Sequence, residues 1–412
     1  MPEGVDTKKI LMIAPYVPYQ DVPHAGGKIL FDHLRSLLAK NFEVHLITVG
    51  KADEIEKAQK YWKNLGVDTH FLSYPPANAG LFNRFLYLIS FFTRKIPGIN
   101  IFWNPYFAHN IPRMIKELCR LGVLPDIVVI EWTEFTPFIR TLKKTLPQNA
   151  VFIAVEHDVT FQRYSRKSQA SSFPLNFAFF AIYLYVKKRE VNLLSAFDLV
   201  LTFNSKDSKL LKDNGIPSSK IQTLTPYFQR YFSVRHNLKN KDGLVFFGAM
   251  NRKENVDAVL WFVQNVWPFL KQNIPGLKFY VVGANPRPEI QFLKNQPGII
   301  VTDFVPDPAP YFEKAFAGIA PLRLGAGIKI KVLEMMSAGL PVLTNEVGIE
   351  GIPAVRNEHY LHCDCPEDYL KSIHALINSS DLFWKLSVNA QNFVKKVFDE
   401  TLNQNKFEEI IP

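Results

Sequence analysis

Residues 317–351 read AGIAPLRLGAGIKIKVLEMMSAGLPVLTNEVGIEG, and this stretch decides the fold. It predicts a short apolar strand, a glycine loop, a lysine-bearing helix, a Gly-Leu-Pro turn, a second strand and another glycine loop. A strand, a helix and a second strand in this order form the repeating unit of a parallel sheet that helices cover on both faces.

The glycine loop and its helix also predict a binding site. Gly325 and Gly327 precede the helix, where unobstructed backbone N–H groups attract an anion. Glu334 lies on the same helix, whose other residues are apolar on nearly every side, so we expect the helix to be buried. A buried carboxylate needs a partner. A sugar nucleotide has an anionic group for the loop and hydroxyls for the carboxylate.

Composition narrows the classes of protein. A chain of 412 residues suits two domains, and 47% hydrophobic with 21% charged residues is typical of a globular protein. The net charge of +10 favours an anionic partner such as a nucleoside diphosphate or an acidic membrane surface. The basic residues form no run of five, which argues against nucleic acid.

The cysteines and the first residues of the chain indicate the cellular compartment in which it works. Cys119, Cys363 and Cys365 cannot build a disulfide framework, and Cys363-Asp-Cys365 has the wrong spacing for a zinc site. The sequence begins without the basic region and long apolar core of a signal peptide. We therefore expect a reducing, cytoplasmic location.

The alternation of strands and helices occurs twice along the chain. It predicts an α/β protein with two doubly wound Rossmann-like domains facing a cleft. We place the first domain at 1–225, a polar linker at 226–242 and the second domain at 243–385. The helices of 386–412 could cross back to the first domain.

Two apolar segments leave an alternative open. Residues 81–96 and 173–186 are rich in Phe, Leu, Ile and Tyr, and basic residues follow each. Both segments are too short or too interrupted to span a bilayer. They are either buried helices or helices that lie in the plane of an anionic membrane, which would be the inner face of the cytoplasmic membrane.

Several motifs together carry a resemblance to a known family. They are VFFGAM (245–250), NVDAVLWF (255–262), VVGANP (281–286), DFVPD (303–307), PLRLGAGIKIKVLE (321–334) and EVGIEG (346–351). With them the chain resembles GT-B glycosyltransferases, and among these the retaining family 4, or glycosyltransferase group 1. The resemblance implies transfer of a sugar from a nucleoside-diphosphate-sugar donor to an acceptor hydroxyl, with no metal and no cofactor beyond this co-substrate.

The family also implies a setting and partners. We expect cell-envelope glycan or glycoconjugate synthesis, with a glycan, a lipid-linked molecule or a small molecule as acceptor. The nucleotide base, UDP or GDP, stays open, as do the sugar and the linkage.

The chain departs from the family at three positions. The family carries two glutamates eight residues apart; Glu334 matches the second, but Ala326 occupies the first. The family also tends to carry an Arg and a Lys that grip the diphosphate, where this chain has Ala249 and Glu254. The cations must therefore come from elsewhere in the second half.

Breaking a sugar–diphosphate bond loads negative charge onto the leaving phosphate, which needs cations, oriented N–H groups or a metal. The sequence contains no Asp-x-Asp triplet, so we assign this work to Arg323 and Lys329 with the N–H groups near Gly325 and Gly327. Lys331 is a further donor-binding candidate, although it could instead pair with Glu334 on the helix surface.

The resemblance implies that Glu334 accepts hydrogen bonds from the nucleotide ribose. The other donor-binding candidates all follow strands or belong to glycine loops: Gly26, Gly27, Gly248, Asn285, Gly348 and Glu350. For each glycine the alternative is a tight turn that binds nothing.

Polar residues also follow the strand predicted at 150–155. Similar enzymes carry a histidine at the place of His157 that contacts the transferred sugar. Asp158 could orient His157 or bind the acceptor, and Arg163 could meet an anionic acceptor. The alternative for His157 is a local backbone partner.

Other classes of protein fit less well. A nicotinamide-dependent dehydrogenase needs Gly-x-Gly-x-x-Gly, and Gly325-Ala-Gly-Ile-Lys-Ile330 lacks the third glycine. A catalytically degenerate sugar-nucleotide-binding partner or scaffold in polysaccharide assembly stays open because of Ala249 and Ala326. A GT-B epimerase is a third alternative.

Overall fold

The computed structural model describes residues 7–20, 22, 25–76, 80–398, 407 and 410–411. The chain divides into two compact units, and the boundary lies between Thr225 and Pro226. The first unit consists mainly of Gly26–Thr225 together with the strand before it, and Phe407 also belongs to it. The second unit runs from Pro226 through the helix that ends at Val397.

The first unit is built on a parallel sheet. Its strands are β1 (Lys9–Ala14), β2 (Glu43–Gly50), β3 (Asp68–Ser73), β4 (Ile127–Glu131), β5 (Val151–Glu156), β6 (Leu199–Thr202) and β7 (Ile221–Thr223), in the order β3-β2-β1-β4-β5-β6-β7. Its helices are α1 (Ala25–Ala39), α2 (Ala52–Lys63), α3 (Leu81–Thr93), α4 (Ile99–Phe102), α5 (Pro105–Arg120), α6 (Ile139–Thr145), α7 (Thr160–Ala170), α8 (Leu175–Leu194) and α9 (Ser205–Asp213). Short 3-10 turns cover Thr133–Phe138 and Ser218–Lys220.

The second unit repeats this plan. Its strands are β8 (Gly243–Phe247), β9 (Lys278–Val282), β10 (Ile299–Val301), β11 (Ala315–Ala320), β12 (Val342–Thr344) and β13 (Leu361–His362), in the order β10-β9-β8-β11-β12-β13. Its helices are α10 (Lys253–Asn265), α11 (Trp267–Asn273), α12 (Pro288–Gln291), α13 (Ala309–Lys314), α14 (Ile330–Ser337), α15 (Pro366–Asn378) and α16 (Ser380–Val397), with 3-10 turns at Leu238–Asn240 and Phe292–Asn295.

Apolar strands explain why both sheets are buried. Every residue of β4 is buried, and β8 is buried up to its last residue. Continuous apolar strands need cover on both faces, which parallel sheets obtain from the helices that connect their strands. The observed architecture is therefore α/β with two parallel sheets, as the sequence predicts.

The strand order creates a ligand-binding position in each unit. In each sheet the order reverses next to the first strand, between β1 and β4 in the first unit and between β8 and β11 in the second. In open parallel sheets a ligand binds at this reversal, outside the carboxyl ends of the strands.

The sequence and the structure differ in several elements. The sequence pattern predicts one helical region over 80–121, whereas the structure has three separate helices there, α3, α4 and α5. The sequence pattern did not reveal α7 or β13, because α7 is polar and β13 has only two residues. The sequence pattern predicts that the first helix begins near Lys28, but α1 begins at Ala25, so Gly26 and Gly27 lie in its first turn.

The segment 226–242, which the sequence suggests as a linker, packs on the second unit. Phe228 and Val234 are buried in that unit's core. The backbone N–H of Tyr231 donates to the Ser337 hydroxyl at 2.9 Å. The segment is thus held by apolar packing and by a hydrogen bond to the end of α14.

The end of the chain was predicted to cross back as helices of 386–412. Helix α16 packs against α14 in the second unit, and residues 399–406, 408–409 and 412 lie outside the described part of the chain. Within the described part, the Phe407 ring stacks on His33 of α1 with 4.1 Å between ring centroids. Among the described helices, none combines the length and hydrophobicity needed to cross a bilayer.

Candidate functional site

The loops beside the strand reversal of the second unit meet at Gly248. This residue follows β8 with a φ of +151°, and a Cβ here would lie 2.9 Å from Asn255 Nδ2 and 3.2 Å from Lys331 Nζ. A Cβ on Gly283 would lie only 1.9 Å from the carbonyl oxygen of Gly248. These two positions therefore require glycine, because the loops after β8 and β9 approach each other closely.

Lys331 extends from α14 into this meeting point. Its Nζ donates a hydrogen bond to Asn255 Oδ1 and lies 4.9 Å from the centre of the Phe246 ring. Burial lowers the pKa of Lys331 to about 7, and nearby Arg252 also lowers it, against the opposing effect of Glu254. A lysine with this pKa gains from an anionic ligand that restores its charge.

Lys329 links the two glycine loops. It precedes α14, and its Nζ donates to the Gly327 carbonyl oxygen at 2.5 Å and lies 3.4 Å from Glu350 Oε2. Both side chains of this ion pair are buried. The loop after β11 and the loop after β12 are thus joined by a charged contact in a dry environment, where such contacts are strong.

The glycine loop between β11 and α14 has a backbone conformation that favours glycine at two positions. Gly325 and Gly327 have φ values of +103° and +70°, which favour glycine. A Cβ on Gly325 would lie 3.9 Å from both Glu254 and Lys329. The loop therefore passes between Glu254, at the start of α10, and Lys329, which precedes α14, so the loop backbone lies close to a lysine.

Glu334 and Arg323 differ in their environments. Glu334 is buried on α14, and its charge adds to the effect of burial in raising the pKa of the Tyr231 hydroxyl. Arg323 is half-exposed, and its guanidinium binds Asp257 through two hydrogen bonds of 2.7 and 3.1 Å. Arg323 would therefore have to exchange Asp257 for a phosphate, whereas Lys329 and Lys331 already lie at the loops.

Two further candidates have local partners. Asn285 is exposed with a φ of +55°, and its backbone N–H donates to Asp303 Oδ1 at 3.0 Å. A Cβ on Gly348 would lie 1.8 Å from Thr344 Oγ1, so packing alone explains glycine there. Their donor-binding roles stay predictions.

In the first unit, four rings follow four neighbouring strands. Tyr16 follows β1, Trp132 follows β4, His157 follows β5 and Phe203 follows β6. The Trp132 and His157 rings stack in parallel with 3.5 Å between centroids. Tyr16 meets Trp132 edge-on at 4.8 Å, and Phe203 meets His157 at 4.8 Å. The sheet edge thus carries a continuous aromatic surface around the predicted histidine.

A buried carboxylate fixes that histidine. Glu131, the last residue of β4, accepts hydrogen bonds from His157 Nε2 at 2.7 Å and from His33 Nδ1 at 2.8 Å. Burial alone would raise the pKa of Glu131, but the two histidines lower it to about 2. Burial lowers the pKa of His157, against the opposing effect of Glu131. The orienting role considered for Asp158 therefore belongs to Glu131.

Asp158 and Arg163 pair with each other. Two hydrogen bonds of 2.9 and 3.1 Å join Arg163 Nη2 to the Asp158 carboxylate. A Cβ on Gly26 would lie 2.7 Å from Trp132 Cζ2, so contact with the indole explains this glycine without a phosphate. Gly27 is buried in the same helical turn.

The backbone around these residues is held in unusual conformations. Trp132 has a φ of +70°, which is rare for a bulky residue and occurs mainly at functional sites. The Glu190 carboxylate, on helix α8, accepts the backbone N–H groups of Thr160 and Phe161 at 2.8 and 2.9 Å. Burial raises the pKa of Glu190 to about 8. These contacts fix the start of α7 directly after His157.

Sequence reasoning missed Glu131, His33, Trp132, Tyr16 and Phe203. One signal was available: except for His33, each ends an apolar strand or follows one within two residues, where ligands bind in parallel sheets. His33 has no such signal, because it lies inside a helix.

Comparisons with known proteins agree with this architecture. A family described as Glycosyl transferases group 1 matches residues 241–379, within the second unit. An uncharacterised 44.6 kDa protein in the cps region of Klebsiella pneumoniae is 21% identical over 96% of this chain and 100% of its own length.

Solved structures show the same fold. Sucrose-phosphate synthase from Thermosynechococcus elongatus is similar with a TM-score of 0.69, 13% identity and 98% of each chain covered. Anabaena HepE in complex with UDP is similar with a TM-score of 0.64, 11% identity, and 98% of this chain and 99% of that one covered. The chain therefore has the GT-B fold, and residues 241–379 of its second unit are similar to the group 1 glycosyltransferases.

We expect the pairing of Glu131 to appear in the pH dependence of stability. Since its folded pKa of about 2 lies below the ordinary 4.5, the ionised carboxylate stabilises the folded chain above about pH 4.5, and this contribution disappears as the pH falls toward 2. Glu131→Gln should lower the free energy of unfolding at pH 7 by up to about 3 kcal/mol. Urea unfolding followed by circular dichroism at several pH values measures this.

The difference from wild type should narrow as the pH falls from 5 to 3. The exposed Glu117, which pairs with Arg120 one helical turn away, is the control, and Glu117→Gln should change little at any pH. A Glu131→Gln deficit that stays constant over this range would contradict the assignment.

Proposed function

We propose that the chain is a retaining, metal-independent glycosyltransferase of family 4, which moves a sugar from a nucleoside-diphosphate donor to an acceptor hydroxyl. The observation that carries the proposal is the convergence of Gly248, Gly325, Lys329 and Lys331 at the strand reversal of the unit that matches the group 1 family. A diphosphate bound there would meet two lysines and the N–H groups that open α14.

The position of Lys331 supports this proposal, although the chain lacks the Arg and the Lys that the family uses to grip the diphosphate. Similar enzymes carry their cations where this chain has Ala249 and Glu254. Lys331 Nζ lies beside Gly248 and Asn255, the immediate neighbours of those two positions. A lysine from α14 thus supplies the positive charge to the loop after β8. Its pKa of about 7 fits a group that awaits an anionic ligand.

The remaining donor roles follow from chemistry. Glu334 is buried near the Tyr231 hydroxyl and would accept hydrogen bonds from the ribose. Lys329, with its Glu350 partner, would stabilise charge as the sugar–phosphate bond breaks. Retention implies a front-face path in which the leaving phosphate takes the acceptor's proton. No resident cofactor is needed, since the nucleotide sugar is a co-substrate.

In the first unit, His157 would contact the transferred sugar. Glu131 engages Nε2, which leaves Nδ1 for a sugar hydroxyl, and Trp132 restrains the ring by stacking. Asp158 and Arg163 would take part in acceptor binding as a pair.

The setting we propose is cell-envelope glycan synthesis on the cytoplasmic side. The position of the Klebsiella relative in a cps region agrees with it. The complexes of Anabaena HepE with UDP and with UDP-glucose make UDP the first nucleotide to test, with GDP beside it.

We also propose that the first unit contacts an anionic membrane, as one of the two interpretations of its apolar segments suggests. On α3, Leu81, Phe85, Leu88 and Phe92 recur at helical spacing and are between 52% and 85% exposed. The other interpretation requires a buried helix, and the exposure of this stripe disagrees with it.

Helix α8 repeats the pattern. Phe173, just before the helix, and Phe177, Phe180 and Leu184 have the same spacing and are also exposed. Arg94 and Lys95 follow the first stripe, and Lys187 and Lys188 follow the second. Apolar side chains that enter the interface, flanked by cations that meet anionic headgroups, are the features of an in-plane membrane contact.

Nucleotide binding and turnover test the enzymatic proposal. We expect UDP or GDP to raise the melting temperature of the wild-type chain, because a ligand of the folded state stabilises it. Glu334→Ala should lose this response, while the exposed Glu289→Ala on α12 should keep it. An unchanged shift in Glu334→Ala would remove Glu334 from the site.

The same samples separate an enzyme from a scaffold. The enzyme should release nucleoside diphosphate slowly from its donor in the presence of EDTA, and Lys329→Met should lower that rate. Tight nucleotide binding without turnover, over a range of acceptors, would instead favour the binding partner.

We expect the affinity for the nucleoside diphosphate to fall as the pH rises above about 7, because Lys331 then loses the charge that attracts the diphosphate. Lys331→Met should weaken binding by about 10- to 100-fold at pH 6.5 and flatten this pH dependence. Isothermal titration calorimetry measures both. Lys294→Met, at an exposed lysine of the same unit, should behave as wild type; a Lys331→Met profile with the wild-type slope would contradict the role.

We expect the chain to sediment with phosphatidylglycerol vesicles and not with phosphatidylcholine vesicles. The triple variant Leu81→Ser, Phe85→Ser, Leu88→Ser should lower the bound fraction at least tenfold, since each side chain contributes buried apolar area. Phe292→Ser, at an equally exposed phenylalanine of the second unit, is the control. Equal sedimentation of the triple variant and the control would exclude α3 from the contact.

A further inference from the structure

Two neighbouring strands of the first unit carry the same short pattern, an acidic residue two positions before a histidine. Glu43-Val-His45 begins β2, and Asp68-Thr-His70 begins β3. The parallel register pairs His45 with Asp68 and Ile47 with His70. Because side chains alternate across a sheet, the two acidic residues and the two histidines lie on one face.

Three of these side chains converge on one atom. Asp68 Oδ2 lies 3.1 Å from His45 Nδ1 and 3.1 Å from His70 Nε2. Ligand-type atoms of the three residues all lie within 4.8 Å of one another. His70 Nε2 is buried and has no hydrogen-bond partner of acceptable geometry, although it lies this close to the carboxylate.

Two of the three separations between these ligand-type atoms match those of a tetrahedral metal site. Around a tetrahedral Zn²⁺ with bonds of about 2.0–2.1 Å, neighbouring ligand atoms lie about 3.3 Å apart. The two distances of 3.1 Å to Asp68 Oδ2 are close to this separation. Two imidazoles and one carboxylate are a donor set that suits zinc and disfavours Mg²⁺, which prefers oxygen ligands.

We propose that His45, Asp68 and His70 bind one Zn²⁺ ion, with water at the fourth position. The exposed side of the cluster provides room for that water, since the side chain of Asp68 is 57% exposed and that of His45 only 7%.

Glu43 completes the arrangement from outside. Its Oε1 lies 3.0 Å from His45 Nε2, the ring nitrogen that faces away from the cluster. A histidine that binds a metal through one nitrogen commonly donates its other N–H to a carboxylate, which fixes the ring and makes it a better ligand. The Glu43–His45–metal arrangement has this form.

The position of the cluster indicates what the ion would do. It lies at the starts of β2 and β3, whereas the candidate site follows the carboxyl ends of the strands, and β3 is the edge strand of its sheet. An ion there would bridge the edge strand to its neighbour. The role is structural, independent of the donor chemistry, and compatible with turnover in EDTA.

Zinc binding to the full chain tests the inference. Chelator-treated protein is titrated with Zn²⁺ in competition with a chromophoric chelator, and its melting temperature is recorded with and without the ion. We expect one equivalent to bind and raise the melting temperature, with no response to Mg²⁺. Bound Co²⁺ should give the intense visible absorption of tetrahedral coordination.

Matched variants decide between a built site and general surface binding. His70→Ala should lower zinc affinity at least 100-fold, and Glu43→Gln about 10- to 100-fold, because it removes only the outer partner. His109→Ala, a histidine beside Arg113 on α5, should bind as wild type. Circular dichroism confirms that each variant folds, and Asp68→Asn replaces His70→Ala if that variant does not.

Equal zinc affinity in wild type, His70→Ala and Glu43→Gln would overturn the inference, as would octahedral Co²⁺ spectra. Donor turnover is measured in the same variants. It should be unchanged in His70→Ala, so the outcome is independent of the proposed transferase activity.

Discussion

The second unit depends on a close approach that leaves no room for a side chain at Gly248. The loop after β9 contacts the backbone there, and Asn255 and Lys331 fill the space on the other side. Because Gly248 adds no bulk, a lysine from α14 can reach the loop after β8 and meet Asn255. This single constraint brings together three elements that are far apart in the sequence, and with them the positive charge of the candidate donor site.

The first unit uses a different device, a carboxylate shared by two histidines. Glu131 lies at the end of a fully buried strand, where an isolated charge would be unstable. Partners on α1 and after β5 stabilise it, and in return it fixes the His157 ring against Trp132. Both units therefore place their polar groups at the carboxyl ends of apolar strands, which keeps the chemistry at the edge of each core.

Much of the fold could be predicted, because burial leaves a direct pattern in the residues. Continuous apolar runs such as residues 127–130 predicted parallel sheets, and the strand predicted at 150–155 is found at Val151–Glu156. Prediction failed where local pattern was weak. Helix α7 is polar and starts where Glu190 accepts its first N–H groups, and β13 is two residues long. Helix α3 is apolar but exposed, so hydrophobicity alone did not decide burial.

For the candidate site, the sequence by itself determined the residue types and the loops: glycines at 325 and 327, lysines at 329 and 331, and a histidine after β5. Only the tertiary structure decided their partners. It assigned Arg323 to Asp257, Lys331 to Asn255, Lys329 to Glu350 and His157 to Glu131. The physical reason is that the strand and helix periodicities of a sequence show which side of an element is buried. Hydrogen bonds and ion pairs join residues that are far apart along the chain, and no periodicity shows which residues pair.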